Sequence, residues 1–330
     1  MMTLPDPPGY IPDPVHQGAT LPTARMDPFV PQPDPFTGAL VVDPEIELKA
    51  KKFALAISLF YSSKDSNPTE YGVGRSASVR AYIAEESGRT VVNRGDFSKQ
   101  YFSLVGTSSG ISTYVSSTNT GNLTTLSFDT VAGEYTEYFN TGMQLKYKQQ
   151  GGSAYRLSKV QDPDGVCQTY TYGTGDEADL LKTIEVPGGD KLTLTYLAGT
   201  TTSLVSSIED WGNRRWTMVY DAQGYLASLM TPLGCITKYG YSLAGAGSPN
   251  TMLHTIEDPR GYLSTYMYDT SKRVVSMASG PAAWTYDYDN ANNRTVETWP
   301  TGAKVTYNFD NTGNNVSTHR PEGYVITYEF

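Results

Sequence analysis

Tyr266-Met267-Tyr268-Asp269 decides how this chain folds, because the same four-residue pattern keeps returning. It recurs as Tyr286-Asp287-Tyr288-Asp289 and Tyr307-Asn308-Phe309-Asp310, with Met218-Val219-Tyr220-Asp221 as a weaker copy, and the spacing is about 21 residues. Turn sequences lie between the copies, as in Asp258-Pro259-Arg260-Gly261, Pro300-Thr301-Gly302 and Pro321-Glu322-Gly323. A fixed period of this size marks a repeat architecture.

Read in phase, the units are 157–172, 181–196, 205–220, 226–241, 253–268, 275–288, 296–309 and 316–330. Each reads as strand, Pro/Gly turn, strand and second turn. The second turn is often Asp-x-x-Gly, as in Asp221-Ala222-Gln223-Gly224 and Asp310-Asn311-Thr312-Gly313. Asp at the first position and Gly at the fourth suit a type I turn. The unit is a β-hairpin of about 20 residues, chained into a meander. No window carries a helical 3.6 period, and Tyr, Thr and Val favour strands, so the predicted fold class is all-β.

Three regions follow. Residues 1–36 hold ten of the twenty prolines and read as an extended Pro-rich arm, because proline lacks the N–H and fixes φ. Residues 37–156 read as an N-terminal β-region: Phe53, Leu55, Ile57, Leu59 and Tyr61 take every second place, and 76–84 and 85–96 read as a strand and a hairpin. Residues 157–330 are the repeat ribbon.

The net charge of −9 makes nucleic acid an unsuitable partner, since phosphate binding needs a clustered basic face. The one dense basic stretch, Lys49 to Lys52, reads as a solvated strand end. No run approaches the ~18 apolar residues of a membrane span, and Met1 to Tyr10 has no standard signal peptide. Cys167 and Cys235 read as isolated thiols on opposite faces.

The Asp-Pro-x-Gly turns at 162–165 and 258–261, the Tyr-Asp-x-x-Gly turn at 220–224 and the spacing resemble the RHS/YD-repeat family over 157–330. A weaker resemblance covers Phe36 to Val105, on the Gly38 turn, Leu59-Phe60-Tyr61-Ser62-Ser63 and the Gly72-x-Gly74 loop. The resemblance implies a β-ribbon spiralling into a shell, as in bacterial polymorphic toxin carriers, insecticidal toxin components and cell-surface proteins. It also implies a secreted or cell-surface location. In toxin members the repeats end in a self-cleaving segment and a toxic domain, whereas this sequence stops at Phe330 inside a repeat strand.

Candidate chemistry is sparse. The pairs Tyr170/Tyr172, Tyr239/Tyr241, Tyr266/Tyr268 and Tyr286/Tyr288 each share a sheet face and read as structural ladders, with glycan stacking as the reading for any ladder left exposed. Asp162/Asp164 and Asp176/Glu177/Asp179 offer oxygen ligands for Ca²⁺ but read as turn formers, so no metal site is assigned. His16, His254 and His319 are scattered, and no nucleophile elbow, phosphate loop or zinc spacing occurs. No catalytic or cofactor-binding residue is assigned and no enzyme is expected. Asn122, Asn293 and Asn315 satisfy the glycosylation pattern.

About 26 strands at ~4.8 Å spacing would give a ribbon of roughly 125 Å, or about 40 Å across if closed once. That is one turn of wall, too little to enclose a folded domain, so an open ring, short barrel or arc is expected. The leading expectation is a structural protein that assembles with copies of itself through an open strand edge and the N-terminal arm, as a ring or filament. The alternatives are a carrier fragment of a larger secreted toxin, partnered by that toxin's C-terminal parts, and a carbohydrate-binding surface protein.

Overall fold

The computed structural model describes residues 31–42, 45–49, 54–116, 124–197, 203–243 and 251–329. They are antiparallel β-structure with one short 3₁₀ turn at Gly175–Glu177, so the all-β expectation holds. No helix among the described residues is long and apolar enough to cross a membrane. The described residues form two compact units, one from 45–60 and 76–216, the other from 31–42, 61–75 and 217–329.

In the first unit a closed barrel precedes the repeats. Pairing runs from Tyr82–Glu86 through Arg89–Asn93, Lys99–Ser108, Ile111–Ser116, Thr125–Asp129, Glu134–Tyr138 and Gln144–Gln149 to Tyr155–Gln161. The last strand then pairs back to the first, Tyr155 opposite Ile83 and Arg156 opposite Tyr82. The pairing thus closes after eight strands, within the expected range of an open ring, short barrel or arc, although the count of strands did not indicate where closure falls. The reason is local. Tyr155–Gln161 serves two partners on one edge: its start closes the barrel, and Lys159 to Gln161 pair with Cys167–Tyr172 and lead out into the repeats.

An eight-stranded barrel is just wide enough for side chains to fill. Register puts Val92, Phe102, Leu126, Tyr135, Glu137, Leu145 and Tyr147 on one face, and all are buried. Phe128 and Tyr135 stack at 4.4 Å between centroids and Tyr155 meets Tyr135 edge-on at 4.8 Å. The stretch read as one strand over 76–84 is broken: Arg75–Ala77 and Tyr82–Glu86 are separate strands. Gly95 sits so close to Ala77 that a Cβ would lie 1.8 Å from the Ala77 carbonyl oxygen.

The repeat strands fall where the period places them. Hairpins are formed by Tyr155–Gln161 with Cys167–Tyr172 and by Leu181–Glu185 with Lys191–Tyr196. In the second unit come Leu226–Met230 with Ile236–Leu243, Thr251–Glu257 with Leu263–Tyr268, Val274–Ser279 with Ala282–Asp289, Arg294–Thr298 with Lys304–Phe309, and Asn315–His319 with Val325–Thr327. Many hairpins pair over only three residues near the Pro/Gly turn and splay at the other end, where each strand pairs with the next hairpin through a bulge.

One face of the second unit's ribbon is covered by the chain's own earlier residues. Tyr266 and Tyr286 donate hydroxyl hydrogen bonds to the Pro31 carbonyl and the Gln32 side chain, and Thr295 donates to the Pro35 carbonyl. Phe36 lies on Phe309 with ring centroids 5.1 Å apart. Val274 N–H donates to Gly38 O, and Leu40 is fully buried. From the next segment, Tyr61 accepts from Leu253 N–H, Ser63 donates to Lys272 O, and Val73 N–H donates to Gly224 O. Residues 31–36, the described end of the Pro-rich arm, therefore pack on this chain's own repeats; residues 1–30 lie outside the described residues.

Candidate functional site

The tyrosine pairs divide their labour. The first member is buried in every case: Tyr170, Tyr239, Tyr266 and Tyr286 are all under 9% exposed. In three of the four pairs the second closes the splayed end of its own hairpin with its hydroxyl, whereas the Tyr241 hydroxyl accepts from Arg75 Nε. Tyr172 donates to Leu157 O at 2.9 Å, Tyr268 to Leu253 O at 2.7 Å and Tyr288 to Val274 O at 2.7 Å. Tyr196 does the same to Leu181 O at 2.7 Å. A β-strand carbonyl left open inside a protein must find a donor, and the phenol supplies it where the ladder has parted. The rings are thus structural, and the buried ones present no face to a sugar.

The aspartates of the turns are equally committed. In Asp221, Asp258, Asp269 and Asp310 one carboxylate oxygen accepts the N–H groups two and four residues on, at 2.8–2.9 Å. The Thr312 hydroxyl and Asn314 amide, with two backbone N–H groups, hold Asp310 well below the usual carboxylate range. Where the fourth turn residue is not glycine the backbone still enters the left-handed region, as at Lys272 with φ 61°.

The predicted acidic clusters come apart. Asp162 accepts from Val166 N–H, Asp179 pairs with Arg156 at 3.2 Å and Glu177 with Lys182 at 3.0 Å. Among the described residues no group of three metal-ligating side chains converges. His254 bonds the Tyr266 carbonyl, and His319 lies 3.5 Å from the Ser317 hydroxyl. Cys167 and Cys235 are free thiols. Asn315 is buried and donates to Thr318, and Asn293 donates to Asn311; Asn122, His16, Lys51 and Lys52 lie outside the described residues.

Two buried charged sites were not visible in the sequence. Within the barrel Arg94 pairs with Glu137 at 2.5 Å and donates to Gln100 at 2.9 Å. Tyr147 donates to Glu137 at 3.0 Å, and Gln100 to Thr124 at 2.8 Å. Desolvation, the largest single effect, would lower the Arg94 pKa, but the charge and hydrogen bond of Glu137 together with Tyr147 and Asp96 outweigh it and raise it. The same hairpin device returns in the second unit, where Tyr307 donates to Glu297 at 2.8 Å. Glu followed ten residues later by Tyr across a turn was the available signal. The second site is Arg75, fully buried in the second unit among Tyr61, Tyr239 and Tyr241.

No protein-family model matches the chain, and no curated protein sequence matches it. Solved structures aligned with it include one titled TcdB2-TccC3, at 11% identity and TM-score 0.44, covering 78% of this chain and 16% of that one. Another is the Photorhabdus luminescens Tc holotoxin pore with TccC3-D651A, at 11% identity and TM-score 0.39, covering 91% of this chain and 21% of that one. The chain spans about one sixth to one fifth of the length of these structures.

Proposed function

We propose that the chain is a structural, non-enzymatic β-repeat protein of the RHS/YD-repeat kind, a filled part of a secreted or cell-surface β-shell to which further β-strands add. The observation that carries this reading is the covered face of the second unit. Residues 31–40 and 61–74 bond to and pack on the repeat strands, covering a face that a container would leave free for cargo. A surface filled with its own chain serves as scaffold.

The point of addition is the strand Val325–Thr327. All three of its residues are exposed, and it pairs with Asn315–His319. An open strand edge is a template for another strand. In the reading we favour, a second copy of the chain supplies that strand and the protein self-associates. The alternative is that repeats of a larger toxin-carrier polypeptide supply it.

Light scattering on a dilution series of the purified chain, with Thr327→Pro as the edge-blocking variant, tests the favoured reading. Concentration-dependent association that the variant abolishes is expected. A wild-type monomer at every concentration would overturn self-association, and reading frames continuing past codon 330 into more repeats would then favour the carrier.

A further inference from the structure

Arg75 is a cation without a counter-charge. It is fully buried. Its Nε donates to the Tyr241 hydroxyl at 3.2 Å, and its guanidinium carbon lies 4.4 Å from the Tyr239 ring centroid and 5.5 Å from that of Tyr61. Both terminal nitrogens are shut off from solvent, and neither has a hydrogen-bond partner. The Tyr239 hydroxyl is buried and unpartnered as well.

The surrounding carboxylates are occupied elsewhere. Asp221 caps its own turn through Gln223 and Tyr225 N–H, and Asp65 accepts from Asn67 N–H. Glu70 is half-buried and has an interaction of its own. Arg75 makes no ion pair among the described residues.

A guanidinium cannot discard its proton, and it offers donors only. Stacking on aromatic faces offsets part of the cost of burying it, but leaves the N–H groups unsatisfied. The unpartnered set is therefore four guanidinium N–H bonds and one phenol O–H beside a net positive charge. Water would bring two further donors into this cluster, whereas a monovalent anion brings only acceptors and balances the charge. A cavity of about 120 Å³ is walled by Tyr61, whose ring faces Arg75, by Gly74, which precedes it, and by Tyr225, which stacks on Tyr241; Arg75 and Tyr239 themselves do not line it. Lys272 and Asp65 both line this cavity, so its wall carries one charge of each sign.

We propose that Arg75, with Tyr239, binds a small monovalent anion of halide size in the interior of the second unit. Two experiments decide it. Bromide-soaked crystals, read by anomalous scattering, should show a peak within hydrogen-bond reach of the Arg75 terminal nitrogens. Peaks on surface lysines alone would mean an adventitious ion only and would overturn the assignment. In solution, at constant ionic strength, the melting temperature should rise as sodium bromide or chloride replaces sodium gluconate, following the logarithmic law of a ligand that binds only the folded state. Tyr239→Phe keeps the ring and should weaken the apparent halide affinity several-fold. Arg75→Met, where it folds, should abolish the dependence. Equal melting temperatures in halide and gluconate, or an unchanged halide response in Tyr239→Phe, would overturn the proposal.

Discussion

Tyr268→Phe isolates the bond on which the repeat depends. The Tyr268 hydroxyl donates to Leu253 O at 2.7 Å, and both residues are buried, with Leu253 fully so. Leu253 stands opposite Tyr241 at a bulge, and its N–H is held by the Tyr61 hydroxyl at 3.0 Å. Two phenols therefore satisfy both backbone groups of one buried residue. Burial raises the Tyr268 pKa well above its ordinary value, so the phenol is a neutral donor throughout the usual assay range. Removing only the oxygen keeps the ring and opens no large cavity, and the Leu253 carbonyl loses its donor. An unsatisfied buried acceptor costs about 1–3 kcal/mol. Urea unfolding followed by circular dichroism should show that loss at unchanged m-value. Tyr262→Phe is the control: Tyr262 is 65% exposed, and its change should stay within about 0.5 kcal/mol. A double-mutant cycle with Tyr61→Phe should give a coupling of at least ~0.5 kcal/mol, since the two hydroxyls share one residue. If Tyr268→Phe is indistinguishable from Tyr262→Phe, the hydroxyl does not carry the closure of the hairpin.

Three further outcomes are expected. Glu137→Leu leaves Arg94 buried without its partner and should cost about 3–5 kcal/mol, whereas Arg94→Met with Glu137→Leu should recover most of it; a double variant as unstable as the single would refute a pair held by mutual neutralisation. Leu40→Ala should cost about 2–5 kcal/mol in thermal or urea unfolding, because the side chain is fully enclosed in the filler segment. Asp310 is ionised at a lower pH folded than unfolded, so its contribution is present above about pH 4 and is lost as pH falls below that. The stability gap between wild type and Asp310→Asn should therefore shrink on acidification, and a gap independent of pH between 6 and 2 would refute the role of the charge.

The hairpins were legible in the sequence because one physical demand repeats in each of them. Tyr-x-Tyr-Asp packs one ring, closes the hairpin with the next phenol and caps the turn with the carboxylate, so its recurrence carried strand, face and turn together. The closure of the barrel was not legible, because it rests on two residue pairs, Tyr155 with Ile83 and Arg156 with Tyr82, more than 70 positions apart. Nothing periodic announces such a contact. The seat of Pro31 to Leu40 was hidden for a similar reason: proline content indicates an extended backbone but not the surface it lies on. Arg75 escaped because a lone arginine between glycine and serine reads as a solvated loop charge, and only the distant tyrosines 239 and 241 bury it.

The filler segment also sets where the ribbon stops being self-sufficient. A sheet with one apolar face needs that face covered, and in the second unit the cover comes from 31–42 and 61–75. Its most C-terminal contacts are those of Phe36, whose ring meets Phe309 and crowds Gly313. Leu226, Leu253, Val274, Met277, Tyr286 and Tyr307, which precede that point, are buried. Beyond it Tyr324, Val325 and Ile326 are 69%, 54% and 38% exposed, although the same hairpin pattern continues. Asn315 and Thr318 of the intervening strand are still buried, so this exposure is confined to the strand Val325–Thr327 and the turn before it. Under the proposed function, a strand added beside Val325–Thr327 would bury Val325 and Ile326, which are apolar and exposed.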